Sequence, residues 1–183
     1  MNDIFHLAGL SRGSYTTPSG VDLKRAMADA VATISSVNHD QFDKYFLKLG
    51  NNWSLLRDIY SGDFKNHYTV RAFVADQGYL QLKADQALYP MYDVSGDLTS
   101  DKSYTVTFSR KPPVNGFWSL TVYNEKGFLV ANPTNIYALG DRSAIKYPNG
   151  HLVYPTGSSD ADGEFTILLQ TLDIPPPEKY RSK

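Results

Sequence analysis

The chain contains no cysteine. This excludes structural disulfides, thiolate zinc sites and redox chemistry on protein sulfur, and it is compatible with a reducing compartment. A charge excess is also missing, since 18 Lys and Arg stand against 19 Asp and Glu for a net −1. The basic residues are scattered, so neither a nucleic-acid backbone nor an anionic membrane surface is an expected partner. No apolar run approaches the length of a membrane span. The opening MNDIFHLAGLSRGSY carries an acid before any base and no signal-like apolar core, so the expected location is cytoplasmic.

Chemical motifs are equally sparse. His6, His39, His67 and His151 never fall in ligand spacing with one another or with carboxylates, and no metal is expected. Asp160, Asp162 and Glu164 imitate the start of a calcium loop but do not complete it, which leaves an ordinary Asp-Gly turn. There is no GXSXG elbow, and GLSRGSY lacks both the Lys-Ser/Thr pair and the preceding strand of a phosphate loop. No cofactor is expected.

What the chain does have is size and aromatic area. With 183 residues, 42% of them hydrophobic, it is expected to form one domain, 1–183, that buries about two-thirds of its unfolded surface. Thirteen Tyr, nine Phe and two Trp make 13% aromatics, area suited to a β-rich core or to apolar ligands. The richest stretch is Tyr104 to Tyr137. In it Tyr104, Val106 and Phe108 alternate with Thr105 and Thr107, the period of a strand buried on one face. After a Pro-Pro corner Trp118, Leu120 and Val122 alternate with Phe117, Ser119, Thr121 and Tyr123. That second, mixed aromatic and hydroxyl face is a candidate pocket wall.

The N-terminal part, 1–78, reads as a helical lead-in. Ser19 is the expected N-cap of a helix whose stripe is Leu23, Met27, Ala30, Ile34 and Val37, laid over a core face. A second helix is expected from Asp40 to Leu49, using Phe42, Tyr45, Phe46 and Leu49, with Gly50 as its stop. A third spans about Asp63 to Gln77, with Phe64, Tyr68, Arg71 and Val74 or Ala75 near one stripe and Gly78 ending it. On such a stripe the Arg71 guanidinium must find an acceptor, at the rim, on a carbonyl or on a ligand. Strand-like segments follow at Ala87–Val94, Ser103–Ser109, Gly116–Tyr123, Phe128–Ala131, Ile136–Leu139, His151–Tyr154 and Glu164–Asp173, with SGD, NEKG, YPNG and DADG as turns. The fold class is α+β, an antiparallel sandwich over 79–174 with about three N-terminal helices, and 175–183 is a loose tail.

The block PPVNGFWSLTVYNEKGFLVANPTNIYALGDRSAIKYPNGHLVY resembles the family called domain of unknown function 1214, often found behind domain of unknown function 1254. The resemblance rests on Pro112 to Val114, Phe117 to Ser119, Tyr123, Asn132-Pro133, Tyr137, Leu139 to Ser143 and Gly150. Upstream, GSYTTP, Arg71-Ala72 and Ala87 to Pro90 extend it, so the chain reads as a divergent single-domain member. The resemblance implies a jelly-roll-like sandwich with a helical lead-in. Two departures stand out: Ile136 occupies the place of a usual arginine, and PTGSSDADGEF replaces an Asn-Trp-Leu-Pro loop. Their expected effect is a more open and more apolar cavity.

From the pocket chemistry, the leading expectation is a cofactor-independent cyclase or isomerase in specialised metabolism, acting on a hydrophobic small molecule. Confinement between aromatic walls would fold the substrate while Tyr, Asn or Arg donors polarise a carbonyl. The alternative is a non-catalytic carrier or binding module for a lipid or other apolar ligand, and a solid structural domain is a third. Arg71, Tyr68, Tyr123 and Asn135 are the candidate catalytic residues. Trp118, Phe117, Tyr89, Tyr92, Asn132, Tyr137 and Tyr154 are the candidate substrate-binding set. An exposed edge strand would allow a homodimer.

Overall fold

The computed structural model describes residues 2–92, 98, 101–156 and 162–180. They group into two compact units, Met1–Asp93 and Val94–Lys183, each with its own core.

In the first unit, helix α1 (Asn2–Leu7) leads into the small hairpin β1 (Leu10–Ser11) and β2 (Ser14–Tyr15). Helix α2 (Leu23–Ser35) begins at Asp22, whose carboxylate accepts the Arg25 amide N–H at 3.0 Å, so the cap is three residues later than Ser19. Its stripe does not cover a core as expected: Met27 is 70% exposed, and only Ile34 and the following Val37 reach the hydrophobic cluster.

The expected second helix is mostly a hairpin. One helical turn, α3 (Phe42–Tyr45), passes directly into β3 (Phe46–Gly50), which pairs antiparallel with β4 (Trp53–Leu56). Asn51 and Asn52 both adopt left-handed backbone, φ +47° and +62°, the geometry of a two-residue type I′ turn. The Gly-Asn-Asn run therefore reverses a strand rather than ending a helix. Only Phe46 is buried in β3, and Leu47 and Leu49 are exposed, so the apolar residues after Phe46 do not form the buried helical stripe expected. Strand β5 (Met91–Tyr92) completes this sheet beside β4, and it is the observed part of the segment expected at Ala87–Val94, whose last two residues lie outside the described ones.

Helix α4 (Tyr68–Gln77) starts five residues later than expected and stops at Gly78, whose N–H returns to the Val74 carbonyl at 2.8 Å. Its buried face is Val70, Phe73 and Val74, packed with Val37, Tyr45, Phe46, Leu56 and Tyr60. Tyr68, at 68% exposure, and Arg71 lie off that face, so Arg71 is not a buried charge in need of an acceptor.

In the second unit β6 (Tyr104–Phe108) pairs antiparallel with β9 (Phe165–Leu169), and β7 (Ser119–Thr121) with β8 (Ala138–Gly140). The alternation expected in β6 holds: Tyr104, Val106 and Phe108 are half-buried, and Thr105 and Thr107 are exposed. Phe165, Ile167, Val153 and Ile145 form the core, with Phe108, Trp118, Leu120, Leu139, Tyr147 and Tyr154 packed against it. The expected strands at Phe128–Ala131 and His151–Tyr154 are reduced to single bridges, Tyr123 with Leu129 and Lys146 with Leu152. Among the described residues the strands thus form four small antiparallel sheets, none of them closed. No helix among them is long and apolar enough to cross a membrane.

Within β4, Ser54 is only 3% exposed and its hydroxyl finds no hydrogen-bond partner among the described residues. An unsatisfied buried hydroxyl costs about 1–3 kcal/mol. Ser54→Ala is therefore expected to raise the urea midpoint, by an equivalent of about 1 kcal/mol. A lowered midpoint would show that the hydroxyl is satisfied in the folded protein.

Candidate functional site

Two arrangements concentrate the polar and aromatic chemistry of this chain, one in each unit. In the second unit, β7 and β8 bring FWS (Phe117 to Ser119) beside LGDRS (Leu139 to Ser143), with Ser119 opposite Gly140 and Leu120 opposite Leu139. The Trp118 backbone N–H donates to the Asp141 carboxylate at 3.0 Å, and the Gly140 N–H donates to Ser143 Oγ at 3.0 Å. The Arg142 guanidinium lies 5.9 Å from the centre of the Phe117 ring, within cation–π range. A side chain at Gly140 would overlap the Trp118 carbonyl oxygen, so this close approach requires glycine.

Behind this clamp the Trp118 indole N–H donates to Tyr154 Oη at 2.7 Å, and the Trp118 ring packs against Phe108 and Phe165 at 5.0 and 6.1 Å. Phe108 and Phe165 stack at 4.8 Å, and Lys111 Nζ stands 5.6 Å from the centre of the Tyr154 ring. Burial pushes the phenols of Tyr154 and Tyr147 above the ordinary value; Asp162 adds to both, Asp141 adds to Tyr154, and the Trp118 hydrogen bond partly offsets the rise at Tyr154. Asp162 also accepts the Lys111 and Gly163 amide N–H groups at 2.8 and 3.0 Å, a turn-closing role. Asp160, from the calcium-loop imitation, lies outside the described residues, and among those described no group of three or more His, Cys, Asp or Glu is placed to hold a metal.

The remaining candidates of this unit sit on or near the surface. Phe117 and Tyr123 are 67% and 57% exposed, so the mixed face of their strand looks outward. Asn132 is occupied by its own loop: its amide group donates to the Val130 and Ile136 carbonyls and accepts from Thr134 Oγ1 and the Ile136 N–H. Asn135, left-handed at φ +54°, accepts the Tyr137 hydroxyl at 3.4 Å. Ile136 is 57% exposed, so losing the arginine there opens no interior space at that position. The replaced loop includes residues 157–161, which lie outside the described ones.

The first unit holds an open cleft of about 510 Å³ that residue patterning missed. Helix α4 contributes Arg71, Val74 and Ala75, one face at spacings of three and one, and the segments before and after the helix supply the rest: Asp63, Phe64 and Lys65, then Tyr79, Leu80 and Gln81. The two segments meet at Gly62. At φ +73°, a side chain there would come within 2.6 Å of the Lys83 amide nitrogen. Lys65 and Leu80 are also left-handed, φ +44° and +65°, a conformation costly for side-chain-bearing residues and frequent at ligand sites. Among the described residues neither Arg71 nor Lys65 makes an ion pair or a side-chain hydrogen bond. Of the sequence candidates only Arg71 lines this cleft. Tyr68 lies on the same helix but away from it, while Tyr89 and Tyr92 are half-exposed, with Tyr92 edge-on to Trp53 at 5.5 Å. The stripe Phe64, Tyr68, Arg71 and Val74 or Ala75 was the signal in the sequence, and all of it but Tyr68 lines this cleft.

The second unit is thus built of open antiparallel pairs joined by a glycine-locked FWS–LGDRS clamp. The chain belongs to the family described as Protein of unknown function (DUF1214), matched over residues 86–180. No match is found among curated proteins or solved structures. The clamp lies inside the matched segment, and the cleft lies upstream of it.

Gly140→Ala is expected to destabilise the protein by about 2–3 kcal/mol through backbone overlap. Gly150→Ala, left-handed at φ +87° with open space around it, should cost only about 1 kcal/mol. Equal urea midpoints for the two variants would refute the clamp. For pH, the folded state holds the Tyr154 proton more tightly than the unfolded chain. Its contribution is therefore intact below the ordinary phenol value of about 10, and stability falls as pH rises beyond it. Melting curves between pH 9 and 11 should fall less steeply for Tyr154→Phe than for the wild type.

Proposed function

We propose that this chain is a binding module for an apolar or amphipathic small molecule, held in the cleft beside α4. The observation that carries the reading is the cleft itself. Its volume of about 510 Å³ falls in the range of small-molecule sites, roughly 300–1,000 Å³, and its lining mixes apolar walls with a few polar groups. Phe64 and Leu80 offer apolar area, and Tyr79 an aromatic body with a polar tip. The cleft is open, which suits capture and release better than the closed confinement that a cyclase requires.

The cyclase or isomerase reading keeps one favourable observation. Tyr154 Oη accepts the Trp118 indole N–H, so its own proton remains for a further acceptor such as a substrate carbonyl. The jelly-roll-like sandwich is likewise a proposal for the second unit. The pairs β6–β9 and β7–β8 share one hydrophobic cluster, as two facing halves of a sandwich would.

Calorimetric titration of the wild type with octan-1-ol, octylamine and octanoate tests the binding reading, with Ala75→Trp as the filled-cleft control. Ala75 is exposed, so the substitution should leave the melting temperature unchanged. At least one probe is expected to bind at one site per chain, and the variant is expected to lose it. No binding by any probe, or unchanged binding in the variant, would overturn the reading.

A further inference from the structure

We infer that the ligand of the cleft is an amphipathic carboxylate carrying a single negative charge; this rests on the binding reading above. The charged groups on the lining are Arg71, Lys65 and Asp63. Two cations against one carboxylate leave a net positive charge of one, which matches a monoanion. Among the described residues the cations are not spent internally, since the ion pairs there are Arg25 with Asp29 and Lys48 with Asp43. Asp63, on the same wall, makes no ion pair with either cation.

The positions of these groups give the ligand its polarity. Arg71 is on the helical face that also carries Val74 and Ala75, and Lys65 follows Phe64 directly, so each cation adjoins an apolar surface. A molecule lying along the cleft can therefore pair its charged end while its body covers Phe64 and Leu80. A guanidinium presents a planar fork matched to the two oxygens of a carboxylate, and Lys65 adds a point charge. The carboxylate of Asp63 repels a second negative charge, which disfavours a phosphate dianion. It also prevents a purely apolar lining, so a neutral alkane-like ligand would leave three charged groups facing it without compensation.

The same three probes test the inference, now compared with one another and with inorganic phosphate. Octanoate is expected to bind at least about tenfold tighter than octan-1-ol, the size of a charge-assisted hydrogen bond, with octylamine weakest and phosphate alone undetected. Arg71→Gln should remove most of the octanoate preference, lowering octanoate affinity far more than octan-1-ol affinity. Arg71→Lys should restore part of it, since the charge returns without the fork. Arg71 is exposed and off the buried face of α4, so these variants are expected to fold, and Lys65→Gln supplies an independent arm. Equal binding of octanoate and octan-1-ol, or an Arg71→Gln variant that keeps the preference, would overturn the carboxylate while leaving the cleft as a site. Failure of all three eight-carbon probes would overturn both.

Discussion

The second unit depends on how closely two backbones approach. Because Gly140 has no side chain, β8 can lie directly against the Trp118 carbonyl, and this contact sets the register of Ser119 to Gly140 and Leu120 to Leu139. Once that register is in place, the Asp141 carboxylate meets the Trp118 N–H. The indole is then held so that its edge reaches Tyr154 and its face reaches Phe108 and Phe165. Remove the close approach and the hydrogen bond, the ring packing and the cation–π contact lose their common reference.

Within the segment matched to the family, Phe117 to Ser119 and Leu139 to Ser143 hold β7 against β8, and Asn132 spends its amide on closing the Asn-Pro loop. Those groups are committed to the fold. Outside the matched segment, Arg71 and Lys65 line the open cleft beside α4 and are not committed to such contacts.

Legibility in the sequence followed how strongly the local pattern was forced by burial. The alternation of Tyr104, Val106 and Phe108 was readable because β6 has one buried and one exposed face. Phe42 to Leu49 misled because Phe42, Tyr45, Phe46 and Leu49 keep helical spacing although only the first turn is helical, and the left-handed Asn51-Asn52 turn decides for the hairpin. Tyr68, Arg71 and Val74 have helical spacing and do lie on α4, but spacing cannot say that Tyr68 meets solvent, Arg71 a cleft and Val74 the core. Trp118 with Tyr154 was named without its geometry, since a hydrogen bond across 36 positions of sequence leaves no local trace.

Helix α2 carries a different consequence. None of its thirteen residues is buried, and its links to the core are Ile34 near its end and Val37 just beyond it. A helix of that length is marginal on its own in water, so its integrity rests on the Asp22 cap, its alanines and that one anchored end. It therefore belongs to the low-stability end of the molecule's opening hierarchy, able to unwind from Leu23 inward while the cluster around Phe46 and Phe73 stays intact.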